Sequence, residues 1–314
     1  MTGLTPSHPL TRFAPSPTGH LHLGHVVNAL YVWGIARARA GTVLLRIEDH
    51  DRQRSRTEFE HSILEDLAWL GFEADRMMVR QSGRAAFYED HLERLKASGL
   101  AYVCSCSRKE MALASPDIPG QEMRYPGTCR ERHLEWHPGL SWRIRLQPGD
   151  VAFDDERMGR QVHSPSEQCG DLQAMDRLGN WTYQFAVTVD DFLQGVTLVI
   201  RGEDLLPSTG RQIMLAELLG RTEPPTFFHH ALIRKPGGEK LSKAAKDTGI
   251  RELRAAGESP GRVLGRADQA ERRDGAFPAN LTIVPPPAPR GEANRGTLLP
   301  TAPSPPTRDS SPAG

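Results

Sequence analysis

The sequence predicts an α/β fold: two half-domains share one parallel sheet, an insertion separates them, and a Pro/Gly-rich tail follows. Three observations predict it. Residues 11–47 read as strand, helix and strand, a βαβ unit that sets two strands parallel on either side of a crossover helix. Residues 196–219 return to the strand-then-helix order after a long break. Between them, from Leu100 to about residue 190, the pattern changes to cysteines, prolines and short β runs. The expected units are therefore residues 1–99 and 191–256 as the two halves of the sheet domain, 100–190 as the insertion, and 257–314 as the tail.

The elements follow in order. Thr11 to Phe13 opens as a short strand and runs into a loop punctuated by Pro15 and Pro17. Beyond Gly24 a helix begins, with Val26, Val27, Leu30, Tyr31 and Trp33 to Ile35 on its apolar side; Gly41 is expected to end it at the C′ position. Thr42–Ile47 (TVLLRI) is a β-favouring run suited to a strand buried on both faces. Helices are predicted over 57–70, with Phe59, Ile63, Leu67 and Leu70 on one side, and over 84–97. Ser141 to Leu146 and Val196 to Ile200 read as strands, and Gly210 to Leu219 as a helix. The tail holds 11 of the chain's 25 prolines, 7 glycines and one aromatic residue, Phe277. Arg262 to Ala267 could extend a helix, but the rest buries too little to order itself, and it is expected to be mostly disordered.

Composition narrows the function classes. The 314 residues carry 39 basic and 39 acidic side chains, which excludes a broadly polybasic wrapper of nucleic acid while permitting a local basic patch. No run of 18 apolar residues is present, and the N-terminus lacks a basic segment followed by an apolar one. A cytoplasmic protein with no membrane partner is expected. Four of the six lysines (Lys235, Lys240, Lys243 and Lys246) fall within twelve residues, as a site for mobile ammonium groups on phosphate would require.

Three of the four cysteines (Cys104, Cys106 and Cys129) lie within 26 residues, and Cys104-x-Cys106 is too tight for an ordinary disulfide. In a reducing compartment such a cluster suggests a metal. By chemistry alone His133 would complete a Cys₃His set, a common structural zinc arrangement. Cys169 has no partner and reads as a small buried apolar residue.

Two motifs carry the chemistry. His22-Leu23-Gly24-His25 follows the first strand and opens the first helix, where free backbone N–H groups bind phosphate and glycine allows close approach. It is neither G-x-G-x-x-G nor a Walker A loop. Lys240-Leu241-Ser242-Lys243, preceded by Gly237-Gly238, suits a mobile loop closing over a triphosphate.

Together these motifs resemble the HIGH and KMSKS signatures of the class I aminoacyl-tRNA synthetases. The glutamyl branch is indicated by Arg12-Phe13-Ala14-Pro15-Ser16-Pro17-Thr18-Gly19, by Leu45-Arg46-Ile47-Glu48-Asp49 with Asp51-Arg52, by Tyr183 and by Arg201-Gly202-Glu203-Asp204-Leu205. The second signature departs from its family at Ala244, where serine is usual. The larger departure is length, since no helical anticodon-binding region follows Ala244. The chain is therefore most similar to the truncated paralogues of that branch, which attach glutamate to queuosine in tRNA(Asp).

That resemblance implies a Rossmann-like catalytic domain with a zinc-bearing insertion, acting as a monomer on ATP with Mg²⁺, L-glutamate and tRNA(Asp). It implies that His22, His25 and Lys243 are catalytic, and that His22, Gly24, His25, Lys240 and Lys243 bind ATP. Arg12, Phe13, Ala14, Pro15, Ser16, Glu48, Tyr183 and Arg201 would bind glutamate. The guanidinium forks of Arg12 and Arg201 match carboxylates, Glu48 takes the ammonium, and Tyr183 adds a directed hydrogen bond. One structural Zn²⁺ would be held by Cys104, Cys106, Cys129 and Tyr125, with tyrosine in the place that chemistry alone gives to His133. Two alternatives share parts of this pattern: a compact enzyme charging the 3′ end of tRNA(Glu), and a non-catalytic zinc module that binds RNA.

Overall fold

The computed structural model describes residues 8–115, 122–233 and 249–273. In chain order its elements are β1 (Leu10–Phe13), α1 (Leu23–Ala38), β2 (Thr42–Ile47), α2 (Thr57–Leu70), β3 (Arg76–Arg80), α3 (Ala85–Ala97), β4 (Ala101–Cys104) and α4 (Arg108–Ala114). There follow β5 (Ser141–Ile144), β6 (Val151–Asp155), β7 (Gly159–His163), α5 (Pro165–Gln168), β8 (Leu172–Met175) and α6 (Tyr183–Leu193). The last are β9 (Leu198–Gly202), α7 (Leu206–Leu218), β10 (Thr226–His230), α8 (Ile250–Ala255) and α9 (Pro260–Arg273).

Strands β1, β2 and β3 pair in parallel, because each return passes through a helix. A second sheet runs β7-β6-β10-β9, with β9 parallel to β10. The two meet where β1 lies against β9: Thr197 N donates to Leu10 O at 2.9 Å, and Leu10 N donates to Thr197 Oγ1 at 3.0 Å. Helices cover both faces, as in a doubly wound α/β domain. Val27, Leu30, Ile35, Val43, Ile63 and Phe228 belong to the core under α1 and α2, while Phe185, Val189, Val199 and Leu215 belong to the core under α6 and α7. Among the described residues no helix is long and apolar enough to cross a membrane.

Three differences from the sequence reading have physical causes. The insertion is only partly separate. Strands β4, β5 and β8 form their own antiparallel sheet, but β6 pairs in parallel with β10 through Asp155 and Phe227, so residues 151–163 extend the catalytic sheet. The alternating burial of VAFDD shows a half-buried strand, and nothing local in it names its partner. Second, the helix that the sequence allowed over residues 262–267 is longer: α9 covers Pro260–Arg273, at the start of the segment read as tail. It packs on α1 and α2 and seats Val263 and Ala267 fully in the core. The rest of that segment, residues 274–314, lies outside the described residues.

Third, α1 ends one residue earlier than expected. Gly41 N donates to Ala36 O at 2.7 Å and Ala40 N to Arg37 O at 3.2 Å, the pair of bonds of a Schellman motif. The left-handed residue is therefore Ala40, with φ of 48°, and not Gly41. Gly41 is needed for space: a Cβ there would stand 2.6 Å from the Pro9 carbonyl oxygen.

An L-residue in the left-handed region costs about 1 kcal/mol, which glycine avoids. Ala40 is exposed, so Ala40→Gly should lose no packing. The substitution is expected to raise the melting temperature by about 2–4 °C, measured by calorimetry. An unchanged or lower value would show that the helix end is not strained.

Candidate active site

The carboxyl ends of β1, β2, β9 and β10 open into one cleft of about 580 Å³. Such strand ends are where open α/β sheets bind ligands, because side chains from separate strands converge there. Arg12, Ala14 and Ser16 come from β1 and its loop, Glu48 and His50 from the end of β2, and Tyr183 from the start of α6. Arg201 and His230 line it from β9 and β10.

Beneath the cleft lies a buried ion cluster. Arg12 Nε donates to Asp191 Oδ1 at 3.1 Å, and Arg46 donates to the same oxygen at 2.8 Å. Arg46, wholly buried, also reaches Glu48 Oε1 at 3.1 Å and Gln194 Oε1 at 3.0 Å. Burial alone would raise the pKa of Asp191, but the two guanidinium groups outweigh it and hold the carboxyl below the usual range. Burial likewise works against the charge on Arg46, and Asp191 and Glu48 reverse that effect.

Arg201 differs. It is 4% exposed, yet its donors go to neutral acceptors: His229 Nε2 at 3.0 Å, Gln212 Oε1 at 2.7 Å and Thr209 Oγ1 at 2.9 Å. Burial lowers its pKa, because no carboxylate pairs with it among the described residues. Three charge-assisted bonds of about 1.5–3 kcal/mol each offset much of the several kcal/mol of desolvation. What remains favours an incoming anion. His229 can accept from Arg201 because its Nδ1–H donates to Asp155 Oδ2 at 2.6 Å, which leaves the lone pair on Nε2.

The phosphate-type motif sits at the N-terminus of α1. His22 is the N-cap; its Nδ1 accepts from Gly24 N at 3.1 Å, while His25 Nδ1 accepts from His22 N at 3.1 Å. This reciprocal cap uses up both Nδ1 lone pairs, so each neutral ring carries its proton on Nε2 as a donor. Gly24 lets the rings close over the turn, since a Cβ there would meet His22 Cε1 at 3.0 Å. Residues 234–248, which include Lys240 and Lys243, lie outside the described residues. Their described flanks fall at the cleft: Ile233 lines it, and Gly249 forms a β-bridge with His22.

Away from the cleft, the sulfur atoms of Cys104, Cys106 and Cys129 lie within 4.8 Å of one another. Thiolates about 2.3 Å from a tetrahedral zinc stand about 3.8 Å apart, so the three fit such an ion. The Tyr125 hydroxyl lies 3.4 Å from Cys104 Sγ. Tyr125 is held there by Tyr125 N donating to Cys169 O at 2.9 Å, an approach that requires Gly170, where a Cβ would collide with Tyr125 O at 2.1 Å. Burial opposes ionisation of Cys129, but bonds from the backbone and hydroxyl of Ser105 and from the neighbouring thiols outweigh it and bring its pKa down to about 6. Cys106 is pushed up to about 12 by burial and by those same neighbours, so one thiolate is favoured at its partner's expense. His133 is exposed and does not join the cluster. Cys169 is buried in the α6/α7 core, as a small apolar residue would be.

The cleft thus gathers Arg12, Ala14, Ser16, His22, Gly24, His25, Glu48, Tyr183 and Arg201. It does not gather Phe13 or Pro15. Phe13 packs on Trp33 in the core with ring centroids 5.3 Å apart, and Pro15 is buried with its carbonyl accepting from Glu48 N at 3.0 Å. Their alternation along an extended segment turns them away from the cleft that Ala14 and Ser16 face. Sequence reasoning missed Arg46, His50, Asp155, Asp191, His229 and His230. The charged residues among them stand inside otherwise apolar strand or helix runs, a signal that could have marked them as buried partners.

Comparison with known proteins shows the family. Residues 10–264 match the family described as tRNA synthetases class I (E and Q), catalytic domain. A glutamyl-Q tRNA(Asp) synthetase of Burkholderia mallei is 42% identical over 275 residues, covering 86% of this chain and 91% of the relative. The protein of that name from Geobacter sulfurreducens is 45% identical over 242 residues, covering 76% and 77%. Among solved structures, a glutamate tRNA ligase from Elizabethkingia meningosepticum in complex with its amino acid is similar at a TM-score of 0.65 and 30% identity. The match covers 75% of this chain and 52% of that one, so the chain spans about half of the ligase's length.

His230 tests the electrostatics of the cleft wall. It is buried, stacks on Tyr31 at 4.8 Å, and burial lowers its pKa to about 4. The folded chain keeps it neutral while the unfolded chain protonates it below about pH 6.5. Its contribution is therefore complete above that pH and is lost as the pH falls towards 4. The loss should reach about 3 kcal/mol by urea unfolding. Comparison with His230→Gln isolates it from Asp66, which burial raises to about 6 and which acts in the opposite sense. Equal pH slopes in the two proteins would refute the assignment.

Proposed function

This chain belongs to the class I tRNA synthetases (E and Q) and, within them, to the glutamyl-Q tRNA(Asp) synthetases, and from that premise we propose that it activates L-glutamate with ATP and transfers it to the queuosine base in the anticodon of tRNA(Asp). The observation that carries the reading is the buried Arg201 with neutral partners, in the same cleft as Arg12 and Glu48. A ligand with two carboxylates and one ammonium answers that arrangement. Arg12 and Arg201 face the carboxylates; Glu48, which engages Arg46 through one oxygen, takes the ammonium together with Tyr183. Ala14 and Ser16 shape the wall between them.

In the first step an oxygen of the glutamate α-carboxylate attacks the α-phosphate of ATP, and pyrophosphate leaves. The Nε2–H groups of His22 and His25 and the N-terminus of α1 meet negative charge growing on the phosphate oxygens, and Gly24 allows the approach. Lys240 and Lys243 bring ammonium groups to the same charge. Mg²⁺ bound with ATP would help to neutralise the phosphate charge. In the second step a hydroxyl of the queuosine cyclopentenediol takes the glutamyl group from the adenylate. The enzyme works as a cytoplasmic monomer in this reading.

Zinc in the insertion would cross-link loops that have little core of their own, through Cys104, Cys106, Cys129 and Tyr125. Elemental analysis should find about one zinc per chain. Occupancy should fall in Tyr125→Phe and hold in His133→Ala. Metal loss only in the histidine variant would restore the Cys₃His set.

The acceptor is tested by transfer of labelled glutamate to tRNA(Asp) with and without queuosine, and to tRNA(Glu). Label is expected only on the queuosine form of tRNA(Asp). Equal labelling of both forms of tRNA(Asp), or labelling of tRNA(Glu) that periodate oxidation of its 3′ end abolishes, would replace this reading with a compact enzyme charging tRNA(Glu).

A further inference from the structure

His50 lines the cleft and has no part in the activation step described above. Its surroundings choose its tautomer. Asp190, fully buried at the back of the site, accepts from Arg84 Nε at 2.6 Å, Tyr88 Oη at 2.8 Å and Gln81 Nε2 at 2.8 Å. A carboxylate accepts only, so the Gln81 amide must turn its NH₂ towards Asp190. Its Oε1 then faces His50 Nδ1 at 2.6 Å and can only accept. The proton of a neutral His50 is therefore fixed on Nδ1, and the lone pair stands on Nε2, which has no hydrogen-bond partner among the described residues.

The placement says what that lone pair meets. On the inner side of His50 are Glu48 and Tyr183, the latter with its ring centroid 6.5 Å away; on the outer side are Asp51 and Arg54, whose side chain is 76% exposed. A tRNA cannot enter a cleft of about 580 Å³, so its reacting nucleoside must meet the activated carboxyl group at the exposed lining, to which Asp51 and Arg54 beside His50 belong. Resting on the functional reading above, we propose that His50 is the general base of the transfer step, oriented by the chain Asp190–Gln81–His50. The acceptor O–H bond breaks as its proton goes to Nε2. The oxygen's electron pair forms the bond to the carbonyl carbon of the glutamyl-adenylate. The bond from that carbon to the phosphate oxygen breaks with its electrons leaving on AMP, and water takes the proton from Nε2 afterwards.

The charged and titratable groups around His50 are Glu48, Asp49 and Asp51 on its own segment, Arg54 at the rim, Tyr183 and Asp190 from α6, and Arg84 behind Gln81. The experiment uses the full chain in three forms: wild type, His50→Gln and Gln81→Met. Two rates are read: glutamate-dependent ATP–pyrophosphate exchange, and single-turnover transfer from preformed adenylate to queuosine-bearing tRNA(Asp).

In His50→Gln, transfer should fall at least about tenfold, at the low end for loss of a general base, while exchange changes by less than about threefold. Wild-type transfer should slow on acidification, because a protonated Nε2 has no lone pair to offer, and the variant should lose that dependence. Gln81→Met keeps His50 but removes the oxygen that holds Nδ1–H, and transfer should fall by a smaller factor. Undiminished transfer in His50→Gln, or an equal loss of exchange and transfer, would overturn the assignment while leaving the activity itself standing. Absence of exchange and transfer in the wild-type chain would overturn both.

Discussion

One carboxylate holds the floor of the cleft together. Asp191, on α6, accepts from Arg12 on β1 and from Arg46 on β2, and so ties the two strands of the N-terminal half to a helix of the C-terminal half. Three elements far apart in sequence are locked at the level where the cleft begins. The cluster is poor evidence for stability in itself, because burying ions costs about as much as their attraction returns. Its value is in placement: an arrangement of these strands that took Asp191 away would leave Arg12 buried without a carboxylate, at about 3–5 kcal/mol, and is strongly disfavoured. Arg12 and Glu48 both belong to that cluster and both face the cleft.

The second anchor runs the other way, from the insertion into the catalytic sheet. Asp155, on β6, accepts from the backbone and ring of His229, and His229 in turn accepts from Arg201. An inserted segment thus orients the cation that carries the functional reading. This explains why β6 is built into the sheet while β4, β5 and β8 are not: the first supports the cleft from beneath, and the others form a separate platform that ends in the thiol cluster at Cys104. Treating residues 100–190 as a detachable unit misses that coupling.

Much of this was legible in the sequence, for reasons that can be named. The first helix, β2 and α2 follow from apolar periodicity and from turn residues, which are local signals. Arg12, Glu48, Tyr183, Arg201 and the His22–His25 turn, which the structure brings to one cleft, stand in short motifs that fix both residue type and spacing. What stayed hidden is non-local. Arg46 reads as part of a strand, and only the fold shows that it is wholly buried between Asp191 and Glu48. Phe13 and Pro15 were drawn into the site by belonging to the same motif, whereas strand alternation sends them into the core. Ala40 took the left-handed position expected of Gly41 because the Pro9 carbonyl needed the room at the next residue.

The histidines show how the site sorts donors from acceptors without relying on charge. An imidazole can present either an N–H or a lone pair at Nε2, and the partner of Nδ1 decides which. At the N-terminus of α1, backbone N–H groups occupy Nδ1 of His22 and His25, so both rings present donors where phosphate would lie. At His229 the partner is Asp155, an acceptor, so Nε2 presents a lone pair to the guanidinium of Arg201. At His50 the partner is Gln81, made an acceptor by Asp190, so Nε2 of the neutral ring again carries a lone pair. Rings of the same chemistry thus present opposite polarity: donors at the N-terminus of α1, and lone pairs at His229, towards Arg201, and at His50. Each choice is made by one buried or backbone group behind the ring, so the pattern of donors and acceptors is set by the fold.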